Sequence, residues 1–260
     1  MEGKIALVTG STSGIGLGIS RLLAERGCSI VISGFGDEKV INSIIEDFKR
    51  KYRCRVDFLP VDLRYPESIQ SFCEAVTLVH PEGVDILVNN AGIQYVASVE
   101  DYPTSKWNEM ISVGLTAPFL LVKYFLPFMR TKGWGRIINM SSQMGIISAP
   151  GKSAYSTVKA GLIGFTKGVA LETAVHGVTS NAVCPGYAEA PILLKQVEKL
   201  AQESNQAFDT TLEQFAMSMH PTEQLVKIDE IAEMVLYLCS PAAKNVTGSA
   251  LVIDGGNTSR

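Results

Sequence analysis

In the stretch "SAYSTVKAG" a phenol and a primary amine stand four positions apart, at Tyr155 and Lys159. On a helix that spacing puts both on one face. Just upstream, "NMSSQMG" carries two hydroxyls, Ser141 and Ser142. A phenol with a reference pKa near ~10 is a poor base at neutral pH. An ammonium about 5 Å away, at an effective dielectric of about 20, stabilises phenolate by roughly 3 kcal/mol. That is on the order of two pKa units, so the lysine is expected to lower the pKa of Tyr155. Tyr155 then becomes a usable acid and base, and Ser142 a hydroxyl that orients a substrate oxygen. Tyr-x-x-x-Lys also occurs on ordinary amphipathic helices, so the rest of the chain must supply the matching chemistry.

The N-terminal segment supplies it. "VTGSTSGIGLG" follows an apolar run and opens a helical pattern, with Gly10, Gly14 and Gly16 spaced as T-G-x-x-x-G-x-G. Glycine permits a tight turn and close approach of backbone N–H groups to a pyrophosphate. The helix start adds partial positive charge there. No G-K-S/T follows, which rejects a P-loop. "NNAG", Asn89 to Gly92, ends another apolar run; its amides are expected both to tie strands together and to line the cofactor cleft. Near the end of the second run, "VISGFGD", Phe35 is placed to pack on the adenine side. Lys and Arg are absent from residues 11–13 and 33–37, so nothing basic awaits a 2′-phosphate and NAD is expected. Asp37 is either a ribose ligand or a helix N-cap. Asp62 in "PVDLR" is the better candidate for the adenine edge. The set assigned to the nucleotide is Gly10, Thr12, Ser13, Gly14, Ile15, Gly16, Phe35, Asp62, Leu63, Asn90, Ala91, Gly92, Pro185 and Gly186, with Tyr155 and Lys159.

These groups need a frame. The runs "KIALVT", "SIVIS", "RVDFLPV", "VDILVNN", "GRIINM", "VTSNAVC" and "ALVID" are rich in Val and Ile and mostly unalternating, as strands covered on both faces should be. Helix-length segments separate them. The repetition predicts a single doubly wound Rossmann-type α/β domain over residues 1–260, with a parallel seven-stranded sheet. One segment breaks the rhythm, from Pro185 to about Pro221, with no strand until "ALVID". It leaves the carboxyl end of the sixth run, where ligands bind in such sheets, and is assigned as a helical substrate lid.

Composition narrows the partners. The chain has 260 residues, 46% hydrophobic and 19% charged, with a formal net charge of −3. No broad basic surface is implied, which disfavours nucleic acid and anionic membrane. The greasiest stretch, "GLTAPFLLVKYFLPFM", is interrupted by Lys123 and two prolines and is read as a buried core helix. Five scattered cysteines fit a reducing, cytoplasmic compartment rather than a disulfide frame. His80, His176 and His220 lack zinc-ligand spacing and are read as surface residues, so no metal is expected. No G-x-S-x-G elbow is present.

From end to end the chain resembles the short-chain dehydrogenase/reductase family, through "TGSTSGIG", "NNAG", "SS", "YSTVK", "PG" and "VIDGG" in order. Within it, "GFGD", "DILVNNAGIQ", "KSAY", "ALET" and "CPG" are similar to the cytosolic, bacterial-type 3-hydroxybutyrate dehydrogenases. The resemblance implies a homotetramer, NAD, and interconversion of 3-hydroxybutyrate and acetoacetate. It implies that Gln94, Lys152 and Gln196 hold the substrate carboxylate. It also sets Tyr187 and Asn257 where that group has tryptophans over the substrate, Met144 where it has a histidine, and Ala190 where it has a threonine. The family's helical asparagine is Gly114 here, which loosens a helix by roughly 1 kcal/mol. A reductase of another carbonyl compound, such as a 3-oxoacyl thioester, and a non-catalytic dinucleotide-binding protein are the alternatives. The small residues Ala160, Gly161, Gly164 and Gly168 imply close packing, either on another subunit or within the chain.

Overall fold

The structure is a computed structural model that describes residues 1–259, apart from the side chain of Ile192. The apolar runs form strands β1 (Ile5–Thr9), β2 (Ser29–Ser33), β3 (Val56–Phe58), β4 (Ile86–Asn89), β5 (Gly135–Met140), β6 (Val178–Pro185) and β7 (Ala250–Ile253). Between them run helices α1 (Gly14–Glu25), α2 (Glu38–Tyr52), α3 (Pro66–Val79), α4 (Thr104–Ile111), α5 (Ala117–Lys132), α6 (Ser153–Thr173), α7 (Pro191–Ser204), α8 (Phe208–Met219) and α9 (Ile228–Cys239). The sheet has seven parallel strands in the order β3-β2-β1-β4-β5-β6-β7. It grows from β1 towards β3 and then from β4 towards β7. The switch point between β1 and β4 therefore opens a crevice beyond the carboxyl ends of the strands.

Alternate strand residues enter two separate cores. Val8, Ile30, Ile32 and Val88 pack with Ile19, Leu23, Phe48, Val235 and Leu238 from α1, α2 and α9. Leu7, Val31, Leu87 and Ile137 pack on the other face with Phe72, Val76, Leu121, Phe125 and Val169 from α3, α5 and α6. Both faces are dry, so the runs show no polar alternation. Each fully buried Leu, Ile or Phe contributes about 1.5–3 kcal/mol.

The greasy stretch belongs to a helical segment, Thr104–Lys132, that is long and apolar enough to cross a membrane by length and composition. Its face of Ala117, Leu121, Phe125 and Met129 is sunk into the second core, as expected of a core helix. Between α4 and α5 the backbone makes a π turn over Ser112–Thr116, a feature the sequence did not announce. Gly114 sits in it, and a Cβ there would run into Val158 Cγ1 of α6. The expected cost of glycine in this helix is offset by a close helix–helix contact that only glycine permits.

The segment from Pro185 to Pro221 holds α7 and α8, which share a small core of Leu193, Val197, Phe215 and Ala216. Its two ends meet: Ala188 bridges Val226, with Val226 N–H donating to the Tyr187 carbonyl at 2.9 Å. His176 is exposed, but His80 and His220 are buried, against the surface reading. Each has polar partners that make burial tolerable. His80 Nε2 lies 3.1 Å from Asp57 Oδ2. His220 Nδ1 lies 2.6 Å from the Gln224 carbonyl, and its Nε2 accepts from Tyr187 N–H at 3.1 Å.

Candidate active site

A cavity of about 880 Å³ opens at the carboxyl ends of β1, β4, β5 and β6 and reaches under α7 and α8. The turn from β1 into α1 forms one end. A Cβ on Gly16 would lie 2.5 Å from both the Gly10 carbonyl oxygen and Asn90 Nδ2, so only glycine lets these chains touch. Asn90 Nδ2 donates to the carbonyls of Thr9 at 2.8 Å and Gly10 at 3.2 Å. Asn89 Nδ2 donates to Asn139 Oδ1 at 2.8 Å, joining β4 to β5. The amides of "NNAG" brace three strands, and Asn90, Ala91 and Gly92 line the cavity. The narrow backbone cradle at the start of α1 is the shape a pyrophosphate requires.

At this end Gly10, Thr12, Ser13, Gly14, Ile15, Phe35, Asp62 and Leu63 line the wall, and Gly16 stands behind it. Phe35 is 72% exposed. Thr12 Oγ1 donates to the Phe35 carbonyl at 2.7 Å, which fixes this strip of backbone. Asp37 is the N-cap of α2, accepting from Lys39 N–H at 2.8 Å. Arg64 also lines the wall. It follows Asp62 by two residues and lies outside the two stretches, 11–13 and 33–37, that carry no basic group. Its Nη2 donates to Asp62 Oδ2 at 2.6 Å and its Nε to Oδ1 at 2.9 Å. That fork holds the Asp62 carboxyl below its ordinary pKa.

Ser142, Tyr155 and Lys159 meet on the cavity floor, with Pro185 and Gly186 beside them. Lys159 Nζ donates to the Met140 carbonyl at 2.7 Å and lies 5.5 Å from the Tyr155 ring centroid. Ser141 Oγ donates to the Lys159 carbonyl at 2.9 Å, binding α6 to the end of β5. The expected direction of the phenol shift is overturned. Burial raises the Tyr155 pKa, and the hydrogen bond with Ser142 only partly opposes it. The same desolvation brings the Lys159 ammonium down to about 8. The lysine aims past the ring at a β5 carbonyl, so in this state it does not outweigh the loss of solvent around the phenol.

Gln94, Lys152 and the pair Tyr187 and Gln196 come from three separate segments and line the same cavity. Lys152 is half-buried, its pKa is lowered by desolvation, and its ammonium has no acidic partner among the described residues. Tyr187 packs edge-on against Phe215 at 5.2 Å. Met144 lines the cavity too, and so does Gln143, which the sequence reading did not single out. The one local signal was its place directly after Ser142 at a strand's carboxyl end, which does not say where the side chain goes.

A glycine cradle at the switch point of a parallel seven-stranded sheet, facing a Ser–Tyr–Lys floor, defines a nucleotide-binding α/β oxidoreductase. The family profile described as enoyl-(acyl carrier protein) reductase matches residues 10–258, and the chain belongs to the short-chain dehydrogenase/reductase family. It is 41% identical to D-beta-hydroxybutyrate dehydrogenase of Cupriavidus necator over 98% of each chain. It is 37% identical to a 3-oxoacyl-(acyl-carrier-protein) reductase of Aquifex aeolicus, again over 98% of each. The crystal structure of L-sorbose reductase from Gluconobacter frateurii complexed with NADPH and L-sorbose superposes with a TM-score of 0.95 at 29% identity, covering 100% of this chain and 98% of that one.

The contact between Gly114 and Val158 gives a direct test of this site's frame. Gly114→Asn should destabilise the protein by about 1–3 kcal/mol through overpacking. Adding Val158→Ala should recover much of that loss, because the space the asparagine needs is the valine's. Urea unfolding of the single and double variants checks it; additive losses would show that the two positions are not coupled.

Proposed function

We propose that the chain is an NAD-dependent dehydrogenase of short 3-hydroxy acids, interconverting 3-hydroxybutyrate and acetoacetate. One observation carries the substrate class. The Lys152 ammonium is half-buried without a carboxylate partner among the described residues, and it lines the cavity that holds Ser142 and Tyr155. An anion on the substrate satisfies it, with Gln94 and Gln196 offering amides from β4's end and from α7. The relative named D-beta-hydroxybutyrate dehydrogenase supports the same reading. The 37% identical 3-oxoacyl-(acyl-carrier-protein) reductase favours a second reading, reduction of a 3-oxoacyl thioester. A thioester puts no carboxylate beside the reacting carbon, and Lys152 would then lie desolvated without a counter-charge.

Bound NAD supplies hydride transfer. The residues of the chain do the rest. Tyr155 takes the hydroxyl proton in oxidation and returns it to the carbonyl oxygen in reduction. Ser142 orients that oxygen, and Lys159 holds positive charge beneath the phenol. The cradle from Gly10 to Gly16 takes the pyrophosphate, and α7 and α8 act as a lid over the substrate. NAD is preferred over NADP because β2 ends in Ser33, Gly34 and Phe35 without a cation, while Arg64 is already neutralised by Asp62. A homotetramer is supported by the outward side of α6. Gly161 packs on Leu115 of its own chain, but Gly164 and Gly168 meet nothing within 4 Å. Leu171 beyond them is 85% exposed.

The test is NADH formation from 3-hydroxybutyrate, its methyl ester and a 3-hydroxyacyl thioester, with NAD and NADP compared on the acid. The acid should far outrun the ester, and NAD should outrun NADP. If the ester serves as well as the acid, no carboxylate is recognised and the assignment fails.

A further inference from the structure

Gln143 follows Ser142 directly, is only 2% exposed and still borders the cavity. Its side-chain oxygen accepts a hydrogen bond from Asn257 Nδ2 at 3.1 Å. Asn257 belongs to a turn beyond β7 that Asp254 holds in place. The Asp254 carboxylate accepts from Gly256 N–H at 2.9 Å and Thr258 N–H at 2.8 Å. With its oxygen engaged on that side, the Gln143 carboxamide turns its NH2 the other way, where it has no partner among the described residues. That donor borders the cavity and is free to pair with a ligand's oxygen there.

The strand order says which part of a ligand that is. Along β4-β5-β6-β7, Gln94 follows β4, Ser142 and Gln143 follow β5, and Asn257 follows β7. The carboxylate-binding amide of Gln94 thus enters from one side of Ser142, and the Gln143–Asn257 pair is anchored from the other. A substrate whose reacting oxygen sits at Ser142 and whose carboxylate reaches towards Gln94 and Lys152 directs its remaining end at Gln143.

We propose that Gln143, oriented by Asn257, is a specificity-determining residue that recognises an oxygen on the carbon beyond the reacting one. The preferred substrates are then 3-hydroxy or 3-oxo acids oxygenated at C4, of which 3,4-dihydroxybutyrate is the simplest alcohol, ahead of those ending in a methyl group. This rests on the reading of the chain as a dehydrogenase of short 3-hydroxy acids. A hydroxyl at C4 pairs with the Gln143 amide, whereas the methyl of 3-hydroxybutyrate leaves that amide unpaired. Sites built to hydrogen-bond a hydroxyl discriminate strongly against the analogue that lacks it.

The experiment measures kcat/KM for 3-hydroxybutyrate and 3,4-dihydroxybutyrate with NAD, on wild type, Gln143→Leu and Asn257→Ala. Wild type should favour the dihydroxy acid by about ten- to a hundredfold. Gln143→Leu, close to isosteric and apolar, should erase or reverse that ratio by improving use of the methyl-ended acid. Asn257→Ala should move the ratio the same way by a smaller factor. A wild type without the preference overturns the inference and leaves the hydroxy-acid reading standing. So does a Gln143→Leu that slows both acids equally, which would put Gln143 on the reacting oxygen. Oxidation of neither acid, with the thioester turned over instead, overturns both together. Should either variant misfold, the wild-type ratio still decides.

Discussion

Tyr155→Phe lowers the turnover of 3-hydroxybutyrate by about 10²–10⁴-fold and leaves the affinity for NADH nearly unchanged. The proposal makes the phenol the only group at the cavity floor that exchanges a proton with the substrate oxygen. The substitution removes that proton and little else. The ring packs with Met110, Ala154 and Val158, contacts that phenylalanine keeps. Ser142 retains its bond from Met144 N–H at 3.2 Å, so the floor holds its shape. The direction of the phenol's shift adds a pH signature. Burial raises the Tyr155 pKa, so the phenol is protonated at neutral pH. Reduction, which needs the acid, is ready as it stands. Oxidation, which needs the base, should quicken as the pH rises into the alkaline range, and the Phe variant should lose that rise. Titration of NADH by fluorescence and initial rates across pH check both halves. Activity within about tenfold of wild type would falsify the role, since general acid–base contributions are larger than that.

Lys152→Ala lowers kcat/KM for 3-hydroxybutyrate by roughly ten- to two-hundredfold. A charge-assisted hydrogen bond contributes about 1.5–3 kcal/mol where water is excluded. Lys152 stands at the entry to α6, three residues before Tyr155, so the carboxylate and the reacting oxygen are registered by one rigid element. The variant has a second, sharper signature. Wild type should strongly prefer the acid to its methyl ester, and Lys152→Ala should lose most of that preference by losing the acid, not by gaining the ester. Stability should hold or rise slightly, because removing a desolvated ammonium without a counter-charge relieves a cost. A variant that slows acid and ester alike would instead place Lys152 in general support of α6.

The sequence revealed the groups whose chemistry depends on residue type and local spacing. Tyr155 and Lys159 are a helical turn apart, and Gly10 to Gly16 lie within one turn of backbone. The sheet was legible because its inner strands are short apolar runs buried on both faces, while β3 and β7 at the edges are partly exposed. Properties that depend on distant partners were not legible. Gln143 becomes a candidate only when a residue far along the chain, Asn257, is seen to fix its amide. His220 is buried because Gln224 and Tyr187 satisfy both ring nitrogens, a pairing no spacing rule announces. The phenol's shift is opposite to what a neighbouring ammonium alone would cause, because the ring is cut off from solvent by residues far apart in the chain. Gly114 reads as a weak point in a helix until Val158 is placed against it.

The insertion after β6 leaves and rejoins the body at one spot, where Ala188 meets Val226 and Tyr187 N–H meets His220. Such a segment is a closed loop with its own small core of Leu193, Val197, Phe215 and Ala216, held at its neck by these contacts and by Thr222 N–H donating to the Gly255 carbonyl at 3.2 Å. Changes in its length alter loop closure only slightly, because each doubling costs only about 0.6 kcal/mol. The nucleotide cradle, built from β1, α1 and β4, shares none of those residues. The stretch between residues 189 and 225 can therefore change in length without breaking the strands that frame the cavity, and its first residues, Ala190 and Pro191, are the ones that must keep their place beside Gly14.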